Sequence, residues 1–448
     1  MLKSFDFTNL RKLIREYYPN LKNSYMHLNI RRLTLLLITT VLLTQYVNAQ
    51  KIYEWRGENR SGIYNEKNLL KSWPEQGPEL IREYTGIGNG YGSPIFTDDR
   101  MYIQGELDSI GYLFAYDLKG ELLWKKDYGK EWVESYRGSR STPTIVDNLI
   151  YVCSGLGNIT CFDSKNGKKI WFVDMLKDLN GSFTMFGHSE SLLIDGDKVF
   201  LTAGGADTNV VALNRFDGKI IWVCKGLGER PGYNAPNIIR LENRNILLTF
   251  SAYSLMGIDT KTGDLLWTHV QDNLPVEKHK LGMGDTHSNT ILYENRFIYY
   301  VAGDGNCAVK LKLSQDGKKI TEVWRNKKFD SYMGGIVKIG NKIYSCGTAK
   351  KDLRRITADT GIVTDSLKLG SGAVILADGM LYYYSQNSKM CLVKPNPEKM
   401  ELISSFKIKK GTKEHFAHPV INKGILYVRH GNIMLAYNIK QEQNNTNE

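Results

Sequence analysis

An all-β chain folded as an eight-bladed β-propeller of four-stranded antiparallel blades is predicted by three features of this 448-residue sequence. A polar turn leading into a tryptophan recurs: "AYDLKGELLW" ends at Trp124, "FDSKNGKKIW" at Trp171, "LNRFDGKIIW" at Trp222 and "IDTKTGDLLW" at Trp267. The residues before each turn alternate apolar and polar in short runs broken by Gly, Asn and Asp, the grammar of an antiparallel meander. The units return every 38 to 53 residues, the period of propeller blades. Gly 42 and Tyr 26 against Pro 11 favour turns and pleated surfaces over helices. A hydrophobic content of 42% with 24% charged residues places the chain among globular proteins rather than disordered ones.

Taken in chain order, the first element is a leader. Arg31 and Arg32 precede an apolar run from Leu33 to Leu43, and Val47-Asn48-Ala49 offers the small residues a signal peptidase reads. The run is shorter than the roughly 20 apolar residues a spanning helix needs, so residues 1–49 read as a cleaved signal peptide, with Met26 as an alternative start. The expected mature protein begins near Gln50, is periplasmic or secreted, and has no transmembrane segment. Residues 1–49 hold seven Lys or Arg and two acids, so their removal takes the formal net charge from +12 to +7. With no dense basic cluster beyond "IKKGTK", that surplus reads as a solvated lysine-rich surface and no nucleic-acid partner is expected.

The propeller is placed at 50–440. Innermost strands are predicted to begin near Ser93, Thr142, Ser189, Ala235, Ser288, Gly334, Gly372 and His418. In the second unit "TPTIV", "LIYVC", "ITCF" and "KKIWFV" are the four strands. The later units are degenerate: Trp324 survives in the fifth, "ITADTG" keeps the turn of the sixth, and "LVKPNPEKM" lacks its Gly. The eighth stops after three strands. Its missing outer strand is assigned to "PELIREYTG", which would close the ring and remove an exposed edge. The polar end 441–448 is read as a disordered tail.

The recurring motif has a structural explanation. Asp163 can accept hydrogen bonds from the turn backbone, Gly167 supplies a positive φ, and Trp171 on the outer strand offers a broad surface to the next blade. Trp124, Trp171, Trp222, Trp267 and Trp324 are therefore assigned to blade docking. Six cysteines would meet an oxidising compartment after export. Cys153 and Cys161 flank a hairpin symmetrically, which leaves a cross-strand bridge or two buried thiols open. No Cys/His spacing of zinc type is present.

The segment from Ala212 to Trp222 resembles the tryptophan-docking motif of the quinoprotein (PQQ-like) eight-bladed propellers. "WRGENRSGIY" and "SWPEQGPELIREYTGIGNGYGSP" are similar to the lead-in of periplasmic PQQ-like repeat proteins. The resemblance spans about Trp55 to Lys440 and implies the fold; function varies within it. One branch, the PQQ-dependent alcohol dehydrogenases, would imply PQQ over the channel, a Ca²⁺ held by Glu and Asn, an Asp base and a vicinal disulfide. The vicinal pair and the long inter-blade insertions are absent from this sequence. The other branch, related to the outer-membrane assembly factor BamB, implies a ring without cofactor that binds protein; this chain lacks the lipobox Cys. The expectation is a monomeric binding module, with no cofactor, and a PQQ- and Ca²⁺-dependent dehydrogenase of an alcohol or sugar as the alternative.

Candidate site residues sit in the loops before each innermost strand and in those joining second and third strands, which share one face of a propeller. These are Arg140, Ser141, His188, Glu190, Asn234, His287, Asn289, Asp304, His418, Arg429 and His430, with Asp285 and His415 beside them. Three readings compete. His188, Glu190, His287 and His418 match metal ligands in type but come from separated blades, and no metal site is assigned. Arg140, Arg429 and the histidines could form a funnel for a small polar or anionic ligand or a protein partner. Alternatively, they are channel residues bonded to backbone and water.

Overall fold

The computed structural model describes residues 51–441, apart from 234, 273 and 304–307, together with Glu16. The leader assignment (Glu16 apart), the tail 442–448, Asn234 and Asp304 fall outside the described residues.

Among those residues the strands form eight sheets, one per blade. Innermost strands begin at Ile95, Thr144, Leu193, Asn237, Leu292, Ile336, Gly372 and Val420, within a few residues of the positions read from the repeat. The last blade is completed as expected: Leu80–Tyr84 pairs antiparallel with the strand Ile433–Asn438 as its outer strand. First and last segments of the propeller are thereby joined through a hydrogen-bonded ladder.

A sheet blade has two faces, so each must bury both against neighbours, and the core divides accordingly. Buried apolar side chains fall into clusters that straddle adjacent blades, such as Leu193, Phe200 and Trp222 of the third with Leu247, Met256 and Ile258 of the fourth. The exposed outer strands carry alternating patterns, as in Lys169–Val173, where Trp171 and Val173 turn inward and Ile170 and Phe172 outward.

The tryptophans link one blade to the next. The indole N–H of Trp124 donates to Lys165 O, Trp171 to Arg215 O, Trp222 to Thr260 O, Trp267 to Gly317 O and Trp324 to Ala358 O. Each acceptor lies in the third-to-fourth-strand turn of the following blade. Gly263 in one such turn has φ +81°, and a Cβ there would lie 2.8 Å from the Trp222 ring. Glycine is needed twice over, for the turn and for the approach of the preceding tryptophan. Cys153 pairs across the hairpin with Ile159, and Cys161 with Tyr151, so the two thiols are offset; both are free and buried.

The channel contains the protein's own N-terminal segment. Ile52–Tyr53 adds antiparallel to the innermost strand of the second blade, and Ile63–Tyr64 adds parallel to that of the seventh. Innermost strands of a propeller all run the same way, so the segment climbs one side of the channel, turns, and descends the other. Its tip lies at the face from which those strands start. Two fully buried arginines anchor it. Arg56 donates to Ile336 O, Val374 O and His418 Nδ1; Arg60 donates to Ser191 O and Leu192 O and pairs with Glu54. Gly62 permits this packing, since a Cβ there would overlap the Arg56 guanidinium.

Candidate functional site

Above the hairpin tip lies a cup of about 570 Å³ bounded by the inter-blade loops. Trp55, carried up by the hairpin, lines its base and meets His418 edge-on at 4.9 Å. Because the hairpin occupies the channel below, the cup is blind.

Its walls differ in chemistry. A run of rings passes from Tyr91 to Phe416 (5.4 Å), Tyr136 (5.6 Å), Phe186 (5.9 Å) and Tyr233 (5.9 Å), carried by the loops into blades one, eight, two, three and four respectively. Phe186 is fixed through its backbone N–H, which donates to the Tyr233 hydroxyl. Across the cup the lining is mixed, with Ser288, Thr348, Ser371 and Gln386 beside Tyr332, Met333 and Cys346, and Lys351 as a cation. No Asp or Glu occurs among the described lining residues.

Of the sequence-predicted candidates, Arg140 and His418 reach the cup lining. The Arg140 guanidinium is directed at its own loops, donating to Phe186 O, Gly138 O and Ser135 O, each at 2.6 Å. It shapes the aromatic wall. Arg429 is buried and donates to Gly88 O, Gly92 O, Gln104 O and Gly431 O, tying the eighth blade to the first. Asn289 bonds Val301 O and Ser331 O and accepts from Gly335 N–H, a tie between the fifth and sixth blades. Ser141 donates to Cys153 O. His430 has both ring nitrogens against the carbonyls of Lys410 and Lys413 and stacks on His415 at 3.7 Å.

The four metal-type residues do not converge. His287 is held by Gln271 and Ala252 O. His418 Nδ1 must accept, because arginine can only donate; its Nε2–H therefore donates to Met333 O. Only His188 and Glu190 are neighbours, with Nε2 and Oε2 3.8 Å apart. No group of three or more His, Cys, Asp or Glu suited to a metal occurs among the described residues.

The His188–Glu190 pair is fully buried beside the cup. Neither His188 ring nitrogen and not Glu190 Oε1 has a hydrogen-bond partner among the described residues. Burial pushes the Glu190 carboxyl up to about 7 and the His188 imidazole down to about 4. A carboxyl raised above its ordinary 4.5 holds its proton more tightly in the folded state. Its contribution to stability is present below the unfolded value and lost as pH rises through the folded one. Glu190→Gln should therefore match the parent near pH 4.5 and exceed it at pH 8 by on the order of 3 kcal/mol, read by thermal melts across pH. A constant difference at all pH values would show that Glu190 does not titrate in this way.

The candidate residues read from the sequence omit these rings, although it carries a signal for several aromatic residues of the cup. Tyr91, Tyr233, Tyr332 and Phe416 each stand two residues before the strand starts at Ser93, Ala235, Gly334 and His418.

Comparison with known proteins places the chain within one architecture. The sequence profile of a family described as "Outer membrane protein assembly factor BamB" matches residues 109–364. BamB of Shewanella oneidensis is 20% identical over 369 residues, 78% of this chain and 84% of that protein. A quinoprotein ethanol dehydrogenase of Pseudomonas aeruginosa is 28% identical over 158 residues, 32% of this chain; the match spans only 24% of the enzyme's length. Among solved structures, BamB from Moraxella catarrhalis aligns with TM-score 0.57 at 11% identity, covering 81% of this chain and 99% of that one. Quinohemoprotein alcohol dehydrogenase from Comamonas testosteroni aligns with TM-score 0.59 at 10% identity, covering 86% and 80%. At these identities the structural matches establish the fold.

Proposed function

Because this chain belongs to the PQQ-like repeat family described as outer membrane protein assembly factor BamB, we propose that it is an exported binding module whose working surface is the cup. The observation that carries this reading is the combination of a blind aromatic cup floored by Trp55 with polar candidates turned into backbone carbonyls. Partly exposed rings and polar side chains lining a concavity suit recognition. The apolar run Leu33–Leu43 supports export, and among the described residues no helix is long and apolar enough to cross a membrane.

The described lining does not fit the quinoprotein alternative. The described lining provides no carboxylate for Ca²⁺, and Arg140 is committed to its three carbonyls, leaving Lys351 to meet an anionic quinone. Titration of the mature protein with PQQ and Ca²⁺ tests the choice. The expected result is no stoichiometric binding and no dye-linked alcohol or sugar oxidation; stoichiometric PQQ binding would overturn the binding-module reading.

A further inference from the structure

The two walls of the cup define what it can hold. Along the aromatic wall Tyr136 is 46% exposed, while Tyr91, Phe186, Phe416 and the floor residue Trp55 are half-buried, so part of each ring remains open to the cup. Opposite them, Ser288 and Gln386 bring a hydroxyl and an amide beside Tyr332 and Met333, while the Thr348 hydroxyl accepts from Tyr332 N–H and the Ser371 hydroxyl donates to Thr348 O. A ligand satisfying both walls needs one apolar face and a hydroxyl-rich edge. An aromatic or aliphatic peptide side chain would leave the Ser288 hydroxyl and the Gln386 amide unmatched, and burying polar groups without partners is costly. Among the described lining residues an anion would find Lys351 and little else, with Arg140 already occupied. A pyranose ring meets the requirement: its C–H face lies against an aromatic face, and its neutral hydroxyls exchange hydrogen bonds with Ser, Thr and Gln.

We propose that the cup is a binding site for a neutral saccharide of about two pyranose units, seated over Trp55 between the Tyr91–Phe416–Tyr136–Phe186 wall and the wall bearing Ser288 and Gln386. The volume of about 570 Å³ lies in the range of small-molecule sites, and the hairpin below prevents a glycan from threading the ring. The site thus requires the N-terminal segment, since Trp55 belongs to it. This inference rests on the cup being the working surface and names its ligand class.

Maltose, cellobiose and N,N′-diacetylchitobiose are the probes, titrated to millimolar concentration into the mature protein, with binding followed by calorimetry and tryptophan fluorescence. At least one should bind saturably. Tyr136→Ala and Phe186→Ala, both at the partly open rim, should each weaken it about tenfold while melting at the parent temperature. Absence of saturable binding by all three sugars overturns the proposal, as does binding that both variants leave unchanged. If a tripeptide centred on tryptophan binds in place of the sugars and the same variants abolish it, the saccharide assignment fails while the cup stands as a binding site. Stoichiometric PQQ binding would instead bring down the reading beneath it.

Discussion

Arg56→Met is expected to destabilise the folded protein by about 3–5 kcal/mol, since it strips a buried donor from two blade carbonyls at once. Arg56 reaches Ile336 O at 2.9 Å and Val374 O at 3.0 Å, and its side chain is enclosed with His418 at 2.7 Å. Burial already lowers its pKa to about 10, so the charge is held at a cost that these bonds offset. Methionine fills much of the volume but donates nothing, leaving both carbonyls desolvated and unpaired. The hairpin should then detach more readily than the ring unfolds. Limited proteolysis should cut within residues 52–64 before any blade turn, alongside a lowered melting temperature. Parent-like stability and protection would show that the hairpin does not brace the ring.

The second large effect concerns the blade clasp. Trp222→Ala is expected to cost about 3–5 kcal/mol, because it leaves a cavity between the third and fourth blades and an unpaired Thr260 carbonyl. Trp222 is 8% exposed and packs 5.7 Å from Phe200. Trp124→Ala should cost less, as its indole is half-exposed and its bond to Lys165 O is longer at 3.2 Å. Gly263→Ala should destabilise alone through its positive φ and its contact with the Trp222 ring. Combined with Trp222→Ala it should cost less than the sum, because the ring it would strike is gone. Denaturant unfolding of the four proteins checks this; strict additivity would mean the two residues do not form one contact.

Much of the ring was legible because its information is local and repeated. Asp163, Gly167 and Trp171 lie within nine residues, and four copies of their pattern set the register of the rest. Even the closing strand Leu80–Tyr84 could be assigned, since the eighth unit stopped one strand short. The hairpin could not be placed this way. Arg56 meets Val374 across 318 residues, and nothing in the periodicity of 52–64 marks it as running inside the ring. For the same reason Arg429, His287 and His418 looked like loop-face ligands. Side-chain direction is chosen by the carbonyls that ring closure brings near: Arg429 is taken up by four of them, while His418 bonds Arg56 and Met333 O and still lines the cup.

What the residue order decided alone is the blade: four strands, an Asp–Gly turn and a tryptophan, each dictated by contacts within some fifty residues. What required the closed ring is the interior. Only when ring closure brings blades two and seven onto one channel can a single segment pair with both, carry Trp55 upward and turn an open channel into a cup. Local propensity encodes elements, whereas long-range burial decides which polar groups are consumed by backbone and which surfaces are left free to bind.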